Sequence, residues 1–237
     1  GISRHDAVVW AFARAAGALG VDIVQGCEVT GFSIESGRVT GVETNLGHIA
    51  APRVCLAVAG HSSVLARKAG VALPIHSTAL QAMVTEPVKP IVNTVLISGT
   101  IHVYVSQTDR GEVVIGSGAD VIHSYGQRGG LPMLEASAQG AVDLFPCLGR
   151  LRVMRQWAGT VDITPDTSPL MGLTPVQGLY VSAGWGTGGY KAIPAGGETM
   201  AWTIANDKPH ALITAFGLDR FARGALVDEG AASGVAH

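Results

Sequence analysis

The stretch Gly184-Trp185-Gly186-Thr187-Gly188-Gly189-Tyr190-Lys191 constrains this chain more than any other. It follows Leu179-Tyr180-Val181-Ser182-Ala183, an apolar run that reads as a buried strand. It precedes a helical stretch that reaches about Asn206. Gly184-x-Gly186-x-x-Gly189 matches the dinucleotide fingerprint letter for letter. The ordinary Rossmann reading nevertheless fits poorly. The helix leads to Asn206 and Pro209 instead of a second parallel strand, and Asp207 would not sit at a strand end. A run of glycines lets a flat ligand lie against bare backbone. The helix behind it aims free N–H groups and a positive dipole end at that ligand. Lys191 falls in the first turn, where a cation is unfavourable for the dipole. It is either held there for a reason or a solvated surface lysine.

A second turn, Ala59-Gly60-His61-Ser62, has the same grammar of strand, glycine and helix start. It ends the apolar run Arg53 to Ala59, expected as a strand buried on both faces, and Ser62 could cap the helix through Lys68. This turn reads equally as a cofactor cradle or as a structural turn. At the front, Asp6 is expected to cap a helix running to Leu19, with Gly20 at C′ and Val21 to Val24 as a strand beyond it. His5, beside that carboxylate, could be a proton shuttle, a flavin attachment point or a surface residue; spacing alone favours the surface. Val29 to Ile34 and Val39 to Thr44 form a hairpin through Glu35-Ser36-Gly37-Arg38, and a third strand follows Gly47. From Pro74 the pattern becomes antiparallel: strands over Thr78–Thr85, Val92–Ser98, Ile101–Ser106 and Glu112–Gly116, a helix from Pro132 to Phe145, and an extended stretch from Arg150 to Asp162. The tail from Pro209 holds one short helix and then frays.

The division expected is 1–73, part of a cofactor domain; 74–163, an antiparallel-sheet substrate domain; and 164–237, a return to the first domain with the tail. The fold class is mixed α/β. Charge supports a small-molecule function. The net charge is −2 with no basic stripe, which argues against nucleic acid and anionic membranes. No apolar run reaches the roughly 20 residues of a membrane span. Cys27, Cys55 and Cys147 form no metal spacing and read as small core residues in a reducing cytosol. The histidines show no metal-binding pattern, so no metal is expected. The chain lacks an initiator Met and enters a helix within a few residues of Gly1, which reads as a segment with an upstream part missing.

Four blocks carry a resemblance: Arg4 to Val8, Val103 to Glu112, Trp157 to Asp166, and Gly184 to Lys191. In these the chain resembles the D-amino-acid-oxidase-like FAD-dependent oxidoreductases, and within them the beta subunits of heterotetrameric sarcosine oxidases, over Arg4 to about Glu229. The resemblance implies oxidation of the N-methyl C–N bond of sarcosine, giving glycine, formaldehyde and hydrogen peroxide, or passage of the one-carbon unit to tetrahydrofolate. It implies noncovalent FAD on Val29, Ala59, Gly60, Gly186, Thr187, Gly189 and Lys191, and a covalent FMN on His5. It makes Lys191 the lysine that serves the substrate site. It implies alpha, gamma and delta subunits as partners and a cytoplasmic setting. Departures are the family's N-terminal βαβ unit, which this sequence does not contain, and the basic substrate-carboxylate residue that goes with it. Tyr190 also stands where Phe is usual, and Ile193-Pro194-Ala195 replaces a Thr-Pro-Gly-like sequence. The isolated chain is therefore expected to bind flavin poorly or not at all. The rival reading is a truncated, non-catalytic remnant acting as a subunit-binding module.

Overall fold

The computed structural model describes residues 3–227. Helix α1, His5–Ala18, starts on Arg4 without a side-chain cap, and Asp6 lies in its first turn. It ends as expected at Gly20, whose φ of 87° lets the Val21 amide donate back to the Ala16 carbonyl at 3.1 Å. The expected strand Val21–Val24 does not form. Its apolar side chains are exposed and, among the described residues, no neighbouring strand accepts its amides, so alternation alone cannot hold it extended.

Strands β1 (Val29–Glu35), β2 (Arg38–Thr44) and β3 (Gly47–Ala50) form an antiparallel meander in the order β1-β2-β3. Ser36 and Gly37, at φ 50° and 78°, make the two-residue turn that the sequence announced. Strand β4 is only Val54–Leu56, shorter than the expected run, because pairing with the neighbouring strand stops at Leu56 and the chain soon enters a 3-10 turn over Ala59–His61. Helix α2 (Ser62–Lys68) follows. Ser62 does not cap it; its hydroxyl donates to the Ala59 carbonyl at 2.6 Å.

Strands β5 (His76–Pro87), β6 (Leu96–Ser98), β7 (Val103–Gln107), β8 (Glu112–His123) and β9 (Val153–Ile163) form one antiparallel sheet in the order β6-β7-β8-β5-β9, with helix α3 (Leu131–Leu144) packed on it. Met83, Val103, Val105, Val113 and Ile115 fill its core against Ala141 and Leu148. Strands β10 (Leu170–Leu173) and β11 (Leu179–Ala183) complete a small sheet, β10-β11-β4, in which β11 and β4 run parallel. Helix α4 (Gly189–Asn206) leaves the glycine run and carries Pro194 inside it. A 3-10 segment, Ala211–Phe216, and helix α5 (Asp219–Ala222) close the described tail. The fraying expected at the very end lies outside the described residues. Among the described residues, no helix is long and apolar enough to cross a membrane.

The tail is tied down by Arg220, a residue the sequence did not single out. Its side chain is 1% exposed and pairs with Asp166, 2% exposed, at 2.8 Å. A second guanidinium nitrogen reaches the other Asp166 oxygen at 2.9 Å, and further bonds go to the carbonyls of Phe216 and Ser168. Burial would raise the Asp166 carboxyl, but the Arg220 and Val227 hydrogen bonds and the Arg220 charge carry it down to about 2. The cysteines depart from the core reading. Cys27 and Cys55 are half-buried and Cys147 is exposed, with burial pushing the Cys55 thiol up to about 11.

Candidate active site

The parallel pair β4 and β11 sets the site. Leu179, Tyr180 and Val181 lie beside Val54, Cys55 and Leu56, so both strands end at the same edge. Each is followed there by a glycine-bearing turn: Ala59–His61 after β4 and Gly184–Gly188 after β11. Ligands of α/β sheets bind outside the carboxyl ends of such strands.

The end of β9 joins the two turns. Gly60 lies so close to the Thr160 side chain that a Cβ there would collide with the Thr160 methyl. The Ser77 hydroxyl, from β5, donates to the Gly60 carbonyl at 2.5 Å. Two residues further along β9, the Asp162 carboxylate accepts the Gly184 amide at 2.6 Å and its main-chain carbonyl accepts the Gly186 amide at 3.0 Å. Burial raises the Asp162 carboxyl above its ordinary value, opposed by amide hydrogen bonds that include those of Gly184, Gly186 and Trp185. Ala59 holds a φ of 45°, an uncommon conformation for a residue with a side chain, and such strain gathers at functional turns.

The glycine run therefore differs from the sequence expectation in one respect. Its N–H groups are not all free: those of Gly184, Gly186 and Gly188 are bonded within the protein, the last to the Trp185 carbonyl at 3.1 Å. Gly189, too, has a packing reason, because a Cβ there would lie 2.8 Å from the Trp185 Cβ. Lys191 lies in the first turn of α4 and is exposed. The Ser3 hydroxyl donates to the Tyr190 hydroxyl at 2.9 Å, which ties the segment carrying His5, the first residue of α1, to the turn carrying Lys191. Val29 opens β1, which is joined to α2 by the Lys68 ammonium donating to the Thr30 carbonyl at 2.9 Å. Thus Ala59, Gly60, Gly186, Thr187, Gly189 and Lys191 share one edge. His5 is linked to it by one hydrogen bond, and Val29 lies one element away across α2.

The sequence profile of a family described as FAD dependent oxidoreductase matches residues 1–202. This chain belongs to that family. A protein named sarcosine oxidase subunit beta from an Arthrobacter species is 54% identical over all of this chain, which spans 58% of that protein. A protein of the same name from Rhodobacter capsulatus is 48% identical, again over all of this chain and 57% of that protein. The chain thus spans somewhat more than half the length of these relatives. The crystal structure of L-proline dehydrogenase from P. horikoshii superposes with a TM-score of 0.85 at 30% identity, covering 93% of this chain and 60% of that one.

The edge suits the family's cofactor. Thr160 Oγ1 is buried with no hydrogen-bond partner among the described residues, on the strand end where the two turns meet. The space a Cβ would take at Gly186 is open, with only the Asp162 carbonyl at 4.0 Å. An unsatisfied polar atom and bare backbone beside a helix N-terminus fit a flat group with a polar, electron-accepting rim. Sequence reasoning missed Asp162, Thr160 and Ser77 as parts of this edge. The first two lie in the Trp157–Asp166 block that carried the resemblance, which was the available signal.

Proposed function

We propose that this chain forms the flavin-facing part of an amine-oxidising enzyme of the sarcosine oxidase beta-subunit type. In the complete enzyme the reaction is oxidative demethylation of sarcosine to glycine and formaldehyde, with hydrogen peroxide formed from oxygen. The observation that carries this reading is the convergence of two glycine turns on the end of β9 with Lys191 at the start of α4. The names borne by the relatives at 54% and 48% identity support the choice of substrate.

Ala59, Gly60, Gly186, Thr187 and Gly189 line the cofactor edge, with Val29 contributing from β1. FAD, when bound, supplies the two-electron acceptor for the amine. Lys191 holds the substrate: its ammonium attracts the carboxylate of an N-methyl amino acid and orients the N-methyl group. The same charge favours the electron-rich state reached after oxidation. His5 would hold a covalent FMN, which would supply the route for electrons to oxygen. The Ser3–Tyr190 hydrogen bond would keep that segment near the Lys191 turn. Residues 1–73 and 164–237 form the cofactor-side domain and 74–163 the substrate-side domain. The partners are alpha, gamma and delta subunits, with tetrahydrofolate as a one-carbon acceptor, in the cytoplasm.

Replacing Lys191 tests the reading. In the full-length enzyme Lys191→Met is expected to lower turnover of sarcosine by about a hundredfold, the scale of losing one electrostatic contact to developing charge. Steady-state assay with protein that still carries its flavin absorbance measures this. Turnover equal to that of the unsubstituted enzyme removes Lys191 from the site.

A further inference from the structure

The turn after β11 poses a puzzle. Gly184 and Gly186 both adopt positive φ, 69° and 52°, and Asp162 takes both their amides, that of Gly184 with its carboxylate at 2.6 Å and that of Gly186 with its main-chain carbonyl at 3.0 Å. Inward-turned amides of a glycine turn make an anion-binding concavity, the form that cradles phosphate in dinucleotide turns. The anion at this one belongs to the protein. Asp162 is 4% exposed, and its carboxylate accepts the Gly184 amide. The influences acting on that carboxyl are burial and backbone amides, with no other charged side chain among them. No ion pair joins it to a cation among the described residues.

We propose that Asp162 is a positioning residue that fills the anion site of the glycine turn from inside. By occupying the Gly184 amide with its carboxylate and the Gly186 amide with its main-chain carbonyl, it turns that part of the fingerprint away from any phosphate. It leaves the open side of Gly186, with Thr187, facing outward. This explains why a letter-perfect fingerprint sits in a turn that serves a ring and not a diphosphate. The assignment to the ring rests on the flavin reading above; the hold of Asp162 on the turn does not.

A two-part measurement separates these. In this chain, Asp162→Asn is expected to speed amide hydrogen exchange at Gly184 by about ten- to a hundredfold, the loss of a hydrogen bond to a charged acceptor. Peptides from β5 and β8 should keep their protection and so report an intact fold. Unchanged exchange at Gly184 overturns the proposal. Where the variant does not fold, nuclear magnetic resonance of the unsubstituted chain decides. The Asp162 carboxyl carbon and the Gly184 amide should titrate together, and independent titration overturns the proposal. In the flavin-loaded full-length enzyme, Asp162→Asn should shift the bound-flavin absorbance band and raise its midpoint potential. Identical spectra and potential would remove the link between Asp162 and the ring. Failure of the unsubstituted full-length protein to hold flavin would instead count against the flavin reading, with the exchange result still deciding the role of Asp162.

Discussion

Helices α1 and α5 stand near the two ends of the described chain, and they are held in opposite ways. Helix α1 has 14 residues, a clean Gly20 terminus and an apolar face, yet none of its residues is buried. Val9, Trp10 and Phe12 are 59%, 58% and 52% exposed. Helix α5 has only 4 residues, yet it buries Arg220 in a two-pronged ion pair with Asp166, and the guanidinium lies 4.1 Å from the centre of the Phe221 ring. Length and periodicity describe what a helix offers for packing. They do not measure how firmly it is held, which depends on what the rest of the chain brings to meet it.

The contrast can be broken at its strong end first. Arg220→Met should destabilise the chain by about 3 to 5 kcal/mol, because Asp166 would be left buried without its cation. Urea unfolding followed by circular dichroism measures this, and a loss of under about 1 kcal/mol, the scale of an exposed pair, would place the pair among inert surface contacts. Acid is a gentler probe of the same pair. The Asp166 carboxyl is depressed in the fold, so its stabilisation is complete above the ordinary aspartate range and is lost as pH falls toward about 2. About 2 kcal/mol should disappear between roughly pH 4 and 2, and Asp166→Asn should flatten that part of the curve. At the weak end, Trp10→Ala should change the stability of this chain by no more than about 0.5 kcal/mol. A larger loss would show that α1 is packed after all.

The same distinction explains what was legible in the sequence. The hairpin through Ser36 and Gly37, the Gly20 helix end and the strand–glycine–helix passage at Gly184 are local, and local chemistry wrote them. Val21–Val24 failed because a strand needs a neighbour, which its own letters cannot supply. Strand β10 went unseen, since Leu170–Leu173 is too short to show a period. The Ser62 and Asp6 caps failed by one and two residues, where helix boundaries are least determined by pattern. The contacts that build the site, Thr160 with Gly60 and Asp162 with Gly184, join distant positions through the packing of β9 and leave no periodic trace. The Arg220–Asp166 pair, 54 residues apart, is equally silent.

Pro194 lends the site a mechanical property. Having no N–H, it cannot bond the carbonyl of Tyr190, four residues earlier, so the collar of α4 is coupled to its shaft by one link fewer. The collar that carries Lys191 is therefore fastened to the shaft less tightly than an unbroken helix would fasten it. Tyr190 is also where Ser3 takes hold, so that bond falls on the collar and not on the shaft.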